Sequence, residues 1–218
     1  MIEIAIDGTA GSGKGTLGKN LSKKYGYPHL DTGLMFRAVA YSLLSKKTND
    51  LKNLELLSCK IAKSLSFIAV NEKNLRSEET GFMASKIAVF PQLRNILKLK
   101  QIEFSNINKK KYGGCILDGR DIGTVILPKA DFKFFITASI EIRAKRRLLE
   151  KKISCLQGEN VECMLQYIKK DISRRDKLDK SRLISPLVPA KDAFIIDTSM
   201  IDANELMSIV VKIIEKRN

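Results

Sequence analysis

The sequence predicts a three-layer α/β fold in which a central five-stranded parallel sheet carries helices on both faces. Three observations carry that expectation. Five short apolar runs punctuate the chain, stretches with helical spacing separate them, and chemically interesting residues gather just past their ends. Strands covered on both faces read as continuous apolar runs, and parallel neighbours need crossovers long enough to hold a helix. Ligands of such sheets collect beyond the carboxyl ends of the strands.

The first run, Ile2–Asp7, is β-branched and ends in a glycine-rich turn, after which Thr16–Tyr25 has helical spacing. A second strand is expected near Tyr27–Leu30. Ile116–Leu117, Phe132–Ile136 and Phe194–Ile196 supply the others, each followed by polar or turn residues. From Asp202 to Arg217, Leu206, Ile209, Val210, Ile213 and Ile214 recur at helical spacing. Asp202 suits the N-cap, with Glu205 three residues on as the second half of a capping box. Two regions interrupt the alternation. Residues 46–87 carry a helical stretch around Leu54–Leu65, a short strand at Phe67–Val70 and a polar turn, while residues 146–174 are highly charged and helical in character.

A chain of 218 residues can bury a core without a disulfide or metal staple. Cys59, Cys115, Cys155 and Cys163 form no CxxC pair, and the single histidine, His29, makes a zinc site hard to assemble. The thiols are therefore expected in a reducing cytosol. Residues 1–7 lack a basic n-region and a long apolar h-region, and no run approaches the ~20 apolar residues of a membrane span. A cytoplasmic protein without a membrane partner is expected. The net charge of +15 points either to nucleic acid or to anionic substrates. With no Trp, and Tyr and Phe mostly inside apolar runs, the chain lacks the stacking platform of a single-strand binder. No nucleic-acid partner is expected.

The strongest local signal is Gly8-Thr9-Ala10-Gly11-Ser12-Gly13-Lys14-Gly15-Thr16, placed between a strand and a helix. A P-loop demands that context. Its glycines let backbone N–H groups converge on phosphate oxygens, the helix adds its positive end, and Lys14 can follow the migrating charge. Gly15 stands where a serine or threonine normally follows the lysine, so Thr16 is the candidate hydroxyl for magnesium. The absence of an Asn-Lys-x-Asp segment argues against a guanine-reading switch.

Transfer between two polyanions needs positive charge on both. Arg37 follows Asp31-Thr32-Gly33, Arg94 follows Phe90-Pro91, Arg120 lies between Asp118 and Asp121, and a cluster runs from Arg174 to Arg182. The guanidinium fork binds phosphate bidentately and stays charged at any working pH.

Gly11–Thr16, Leu30-Asp31-Thr32-Gly33, Arg37, Phe90-Pro91, the run Asp118–Val125 and the run Ser185–Ala190 together resemble bacterial cytidylate kinase over nearly the whole chain. The last two motifs are far more specific than the P-loop alone. The resemblance implies a P-loop core at 1–45, 88–145 and 175–218, a monophosphate-binding insert at 46–87 and a helical lid at 146–174. It implies ATP as donor, Mg2+, CMP or dCMP as acceptor, and action as a monomer. Ser85, Arg94 and Asp121 match positions that read the cytosine; the exocyclic amine is a donor that a carboxylate accepts. Arg37, Arg120 and Arg182 match phosphate-binding positions, Arg175 and Asp179 lie near the ribose hydroxyls, and Thr32 joins this acceptor set. Arg143, Arg146 and Arg147 open the lid, and the catalytic group implied is Lys14, Arg143, Arg147 and Arg174. Bacterial members carry a small antiparallel sheet in the insert. Here Phe67–Arg76 passes through one strand and the turn Asn71–Asn74 without a following strand, so a shortened insert is expected. UMP, AMP or shikimate are the rival acceptors on the same scaffold.

Overall fold

A computed structural model of the chain describes residues 1–45, 53–66, 75–150 and 159–217. The strand at Phe67–Val70, the turn at Asn71–Asn74 and the shortened insert read from them lie outside the described residues, as does Cys155. The elements run β1 (Ile2–Gly8), α1 (Lys14–Tyr25), β2 (His29–Asp31), α2 (Thr32–Ser45), α3 (Leu54–Ser64), α4 (Glu78–Ile87), α5 (Pro91–Tyr112) and β3 (Gly114–Gly119). One π-helical turn (Ile122–Ile126) precedes β4 (Phe132–Thr137), α6 (Ile140–Glu150), α7 (Glu159–Lys180), β5 (Phe194–Asp197) and α8 (Ala203–Arg217).

All five expected strands form one sheet in the order β2-β3-β1-β4-β5. β1 pairs in parallel with β3, from Ile2 opposite Gly114 to Asp7 opposite Gly119, and in parallel with β4 on its other side. β4 pairs in parallel with β5. This ladder explains why β3 outruns its apolar pair Ile116–Leu117: six backbone partners along β1 hold Gly114 and Gly119 extended. The second strand begins at His29, two residues later than expected, although the Pro28 carbonyl still accepts the Ile116 N–H at 2.9 Å. Because β1 is flanked by β3 and β4, the connections diverge there, leaving a crevice at its carboxyl end.

The chain divides into two compact units, Met1–His29 with Asn108–Asn218, and Leu30–Ile107. In the first, Ile4, Ile6, Ile116, Phe134 and Ile136 of the sheet pack with Leu17 and Leu21 of α1 and with Leu206, Val210 and Ile214 of α8. The last three recur every fourth residue, one stripe of the helix. Burying each such side chain is worth roughly 1.5–3 kcal/mol, so docking outweighs the cap, worth about 1 kcal/mol. That cap is the expected box: Glu205 N–H donates to Asp202 Oδ1 and Asp202 N–H to Glu205 Oε2, both at 2.8 Å. A smaller cluster, Ala144 with Ile168 and Ile172, joins α6 to α7.

The second unit has its own core. Met35, Val39 and Leu43 of α2 meet Leu54 and Ala62 of α3, Ala84 and Ile87 of α4, and Leu93 and Leu97 of α5. Ser77 caps α4, its Oγ accepting the Thr80 N–H at 3.1 Å. Among the described residues no helix is long and apolar enough to cross a membrane.

Candidate active site

The phosphate loop leaves β1 at Gly8, where a Cβ would be driven into the Ile136 carbonyl oxygen of β4. Gly13, with φ of 93°, makes the left-handed turn into α1, so the unbonded N–H groups of the first helical turn open onto the loop. Ser12 Oγ donates to the Thr9 carbonyl at 2.9 Å, and Lys14 Nζ lies 3.5 Å from the same oxygen. Thr9 Oγ1 is buried with no hydrogen-bond partner among the described residues. Thr16 is exposed on the first turn of α1.

Two arginines of α6 support this loop. Arg143 is buried; its Nε donates to the Ala138 carbonyl at 2.9 Å, Nη1 to the Ala10 carbonyl at 3.2 Å, and Nη2 pairs with Asp176 at 2.7 Å. Arg146 donates to the Thr198 hydroxyl at 2.8 Å and to the Thr198 carbonyl at 2.6 Å. The Thr198 hydroxyl lies 3.1 Å from both the Ser12 and the Thr137 carbonyl oxygens, its single proton directed between them.

Beside the loop, guanidinium groups crowd around two carboxylates of α7. Asp179 accepts Arg120 Nε at 2.8 Å and pairs with Arg182. Burial pushes its pKa up, but Arg120, Arg182 and the more distant Lys14 outweigh that and hold it below the usual carboxylate value. Asp171 pairs with Arg147 at 3.4 Å and with Arg174 and Arg175 at 3.2 Å. Burial and the neighbouring Arg147 together lower the pKa of Arg175. The cluster is cationic in excess and partly desolvated, which favours a polyanionic ligand over water.

The segment after β3 adds a second group of carboxylates. Asp118, which is buried, bonds the largely covered His29 through Nε2 at 2.7 Å, and its Oδ2 lies 3.9 Å from where a Cβ on Gly15 would sit. Asp121 is buried at the head of the π turn, its carbonyl accepting the Val125 N–H at 2.9 Å and the Ile126 N–H at 3.2 Å. Asp7 accepts the Ile122 N–H at 2.8 Å and the Gly123 N–H at 2.7 Å. Its pKa is raised to about 6, chiefly by burial, which overcomes those two bonds; nearby Asp121 raises it further.

In the second unit Thr32 is buried at the start of α2, and Arg37 donates to the Leu75 carbonyl at 2.7 Å and the Ser77 carbonyl at 3.2 Å. Asp31 pairs with Arg76 at 3.3 Å. Ser85 Oγ donates to the Gly81 carbonyl at 3.1 Å within α4. Arg94 is buried, donates to the Ala88 carbonyl at 3.1 Å and lies 5.6 Å over the Phe36 ring. That contact fixes a planar fork which would otherwise sample many rotamers.

The first unit thus brings together Lys14, Arg120, Arg147, Arg174, Arg175, Asp179 and Arg182, with Arg143 beneath the loop. Sequence reasoning missed Asp171, Asp176 and Thr198. Asp171, Arg175 and Asp179 recur every fourth residue, a charged stripe on one face of α7 that could have been found from spacing alone. Thr198 has no such local signal, since its role comes from a loop 186 residues away in sequence.

A strand, a glycine loop, a lysine and a helix in this order, faced by a cluster of arginines, define a P-loop kinase. The sequence model of the cytidylate kinase family matches residues 4–216, and the chain belongs to that family. It is 43% identical to the cytidylate kinase of Methylocella silvestris over 97% of this chain and 93% of that one. With the cytidylate kinase of Bradyrhizobium diazoefficiens it shares 42% identity over 97% of this chain and 95% of the relative. Among solved structures, an uncharacterized protein from Eubacterium ventriosum has a similar fold, with a TM-score of 0.50 at 15% identity over 99% of each chain. The enzyme class is nucleoside monophosphate kinase.

Proposed function

We propose that the protein transfers the γ-phosphoryl group of ATP to CMP or dCMP, giving ADP and CDP or dCDP. The observation that carries the reading is the gathering of Lys14, Arg120, Arg147, Arg175 and Arg182 about Asp171 and Asp179 beside the phosphate loop. In the reaction an oxygen of the acceptor phosphate bonds to the γ-phosphorus as the bond to the β–γ bridging oxygen breaks, its electron pair leaving on ADP. No covalent enzyme intermediate is needed, because a loose phosphoryl transition state asks mainly for alignment and charge neutralisation.

Each residue has a part in that scheme. The amides of residues 8–16 and Lys14 hold the donor phosphates. Arg37, Arg120 and Arg182 hold the acceptor phosphate, Arg175 and Asp179 the ribose, and Ser85, Arg94 and Asp121 the cytosine, with Thr32 supporting the acceptor set. Arg147 and Arg174 neutralise the transferring group. Arg143, whose fork is bonded to two carbonyls and Asp176, contributes by holding the loop in shape. Residues 46–87 serve as the monophosphate insert and 146–174 as the lid, within a monomer.

The residues present suit magnesium held largely by phosphate oxygens and water. No group of three or more His, Cys, Asp or Glu that could cage an ion occurs among the described residues. Thr16, exposed on the first turn of α1, would hold the hydrated ion. When bound, it neutralises charge on the β- and γ-phosphates.

The test is ATP consumption with CMP, dCMP, UMP and AMP offered in turn. CMP or dCMP should give the highest kcat/KM; a preference for AMP or for no acceptor at all would overturn the reading.

A further inference from the structure

We propose that Asp7 is a positioning residue for recognition of the acceptor base, because it fastens the turn carrying Arg120 and Asp121 to the root of the phosphate loop. The inference rests on the reading that Asp121 meets the cytosine amine. Asp7 is buried in β1 immediately before Gly8. Its two oxygens are divided between two donors, Oδ1 taking the Ile122 N–H at 2.8 Å and Oδ2 the Gly123 N–H at 2.7 Å. Those N–H groups open the π turn, where no carbonyl of the turn itself can reach them.

The pairing is chemically selective. An ionised carboxylate accepts at both oxygens, whereas an amide of the same shape presents a donor to one of the two N–H groups. There is also no slack in the contact. A Cβ on Gly123 would lie 3.4 Å from Asp7 Oδ2 and 3.3 Å from Lys133 Cδ. The direction in which Asp121 leaves the chain is therefore set from residue 7 as well as from β3. Backbone pairing with β3 and β4 holds the root of the donor loop, and the Asp7 carboxylate ties the turn that reads the acceptor base to that strand.

The experiment uses Asp7→Asn, Gly123→Ala, Asp121→Ala and the double variant Asp7→Asn with Asp121→Ala. Steady-state kinetics with CMP and UMP are read alongside the KM for ATP and the melting temperature. Asp7→Asn should raise the KM for CMP and shrink the CMP-over-UMP ratio of kcat/KM by about tenfold, with the KM for ATP moving less than about twofold. Gly123→Ala should shift the ratio the same way, more weakly. In the Asp121→Ala background, Asp7→Asn should leave the ratio where it is, since residues acting as one unit are non-additive. An unchanged ratio in Asp7→Asn, a fully additive loss, or an equal loss of ATP affinity overturns the proposal. If Asp121→Ala alone keeps the ratio, the base-reading assignment fails; if only Asp7→Asn and Gly123→Ala keep it, the positioning role fails by itself. Should Asp7→Asn not fold, Gly123→Ala is read by the same measures.

Discussion

Arg120 Nε donates to Asp179 Oδ2 at 2.8 Å, so the residue following β3 is fastened to the last turn of α7. Arg182 completes the pair from the other side. Breaking a buried pair by removing one partner costs more than the pair contributes, because the remaining charge is left without compensation. Asp179→Ala should therefore lower unfolding stability by about 3 kcal/mol in urea titrations at neutral pH. A change under about 0.5 kcal/mol would show that water already screens the two guanidiniums.

The two displaced carboxylates work in opposite directions with pH. Asp179 is held below its ordinary value, so its contribution is present above about pH 4 and is lost as the pH falls through its folded value. Asp7 is raised to about 6, so the folded state binds its proton more readily than the unfolded chain does. Its contribution is complete below about pH 4 and is lost as the pH rises through 6, a span of about 3 kcal/mol at most. Unfolding curves from pH 4.5 to 7.5 should slope downward in the wild type and be flatter in Asp7→Asn. Parallel slopes would place the titration elsewhere.

Lys14→Ala should cut kcat by about a thousandfold or more, the scale expected for removing one preorganised charge from the transition state. CMP binding, followed by calorimetry without ATP, should change by less than about twofold. Near wild-type turnover in this variant would end the assignment of Lys14.

Arg143 and Arg174 should separate by their surroundings. Arg143 is bonded to the carbonyls of Ala10 and Ala138 and to Asp176, whereas the side chain of Arg174 is 60% exposed. Arg143→Ala should lower both thermal stability and ATP affinity. Arg174→Ala should leave the melting temperature within about a degree while lowering kcat, as expected of an exposed site. Equal melting losses in the two variants would contradict this division.

Asp202→Ala removes half of the box that starts α8 and should cost about 1 kcal/mol, or about 2–4 °C in melting temperature for a domain of this size. Kinetic constants should not move, and a fall in kcat would tie α8 to the site.

Much of this architecture was legible because its signals are local. The glycine loop, the capping box at Asp202 and the apolar runs each carry their meaning within a few residues. Strand ends were less so: β3 reaches Gly114 and Gly119 because β1 offers partners there, a fact that neither glycine announces. The motif residues Arg120, Asp121 and Arg182 could be named from resemblance, yet their partners could not. Asp171 has local partners in Arg174 and Arg175, but Asp176 and Thr198 acquire their roles only through Arg143 and the Ser12 carbonyl, and no local pattern marks Thr198 at all.

The described residues form their larger apolar clusters within one unit or the other, Ile4 and Phe134 in one and Val39 and Leu97 in the other. Each unit thus draws its cohesion from its own set of side chains. Loosening around Val39 or Leu97 need not loosen the strands that hold the glycine loop, and hydrogen exchange can resolve the two as separate cooperative blocks. Local opening around Arg37 and Arg94 can then occur without disturbing the strand pairing that carries Gly8 and Lys14.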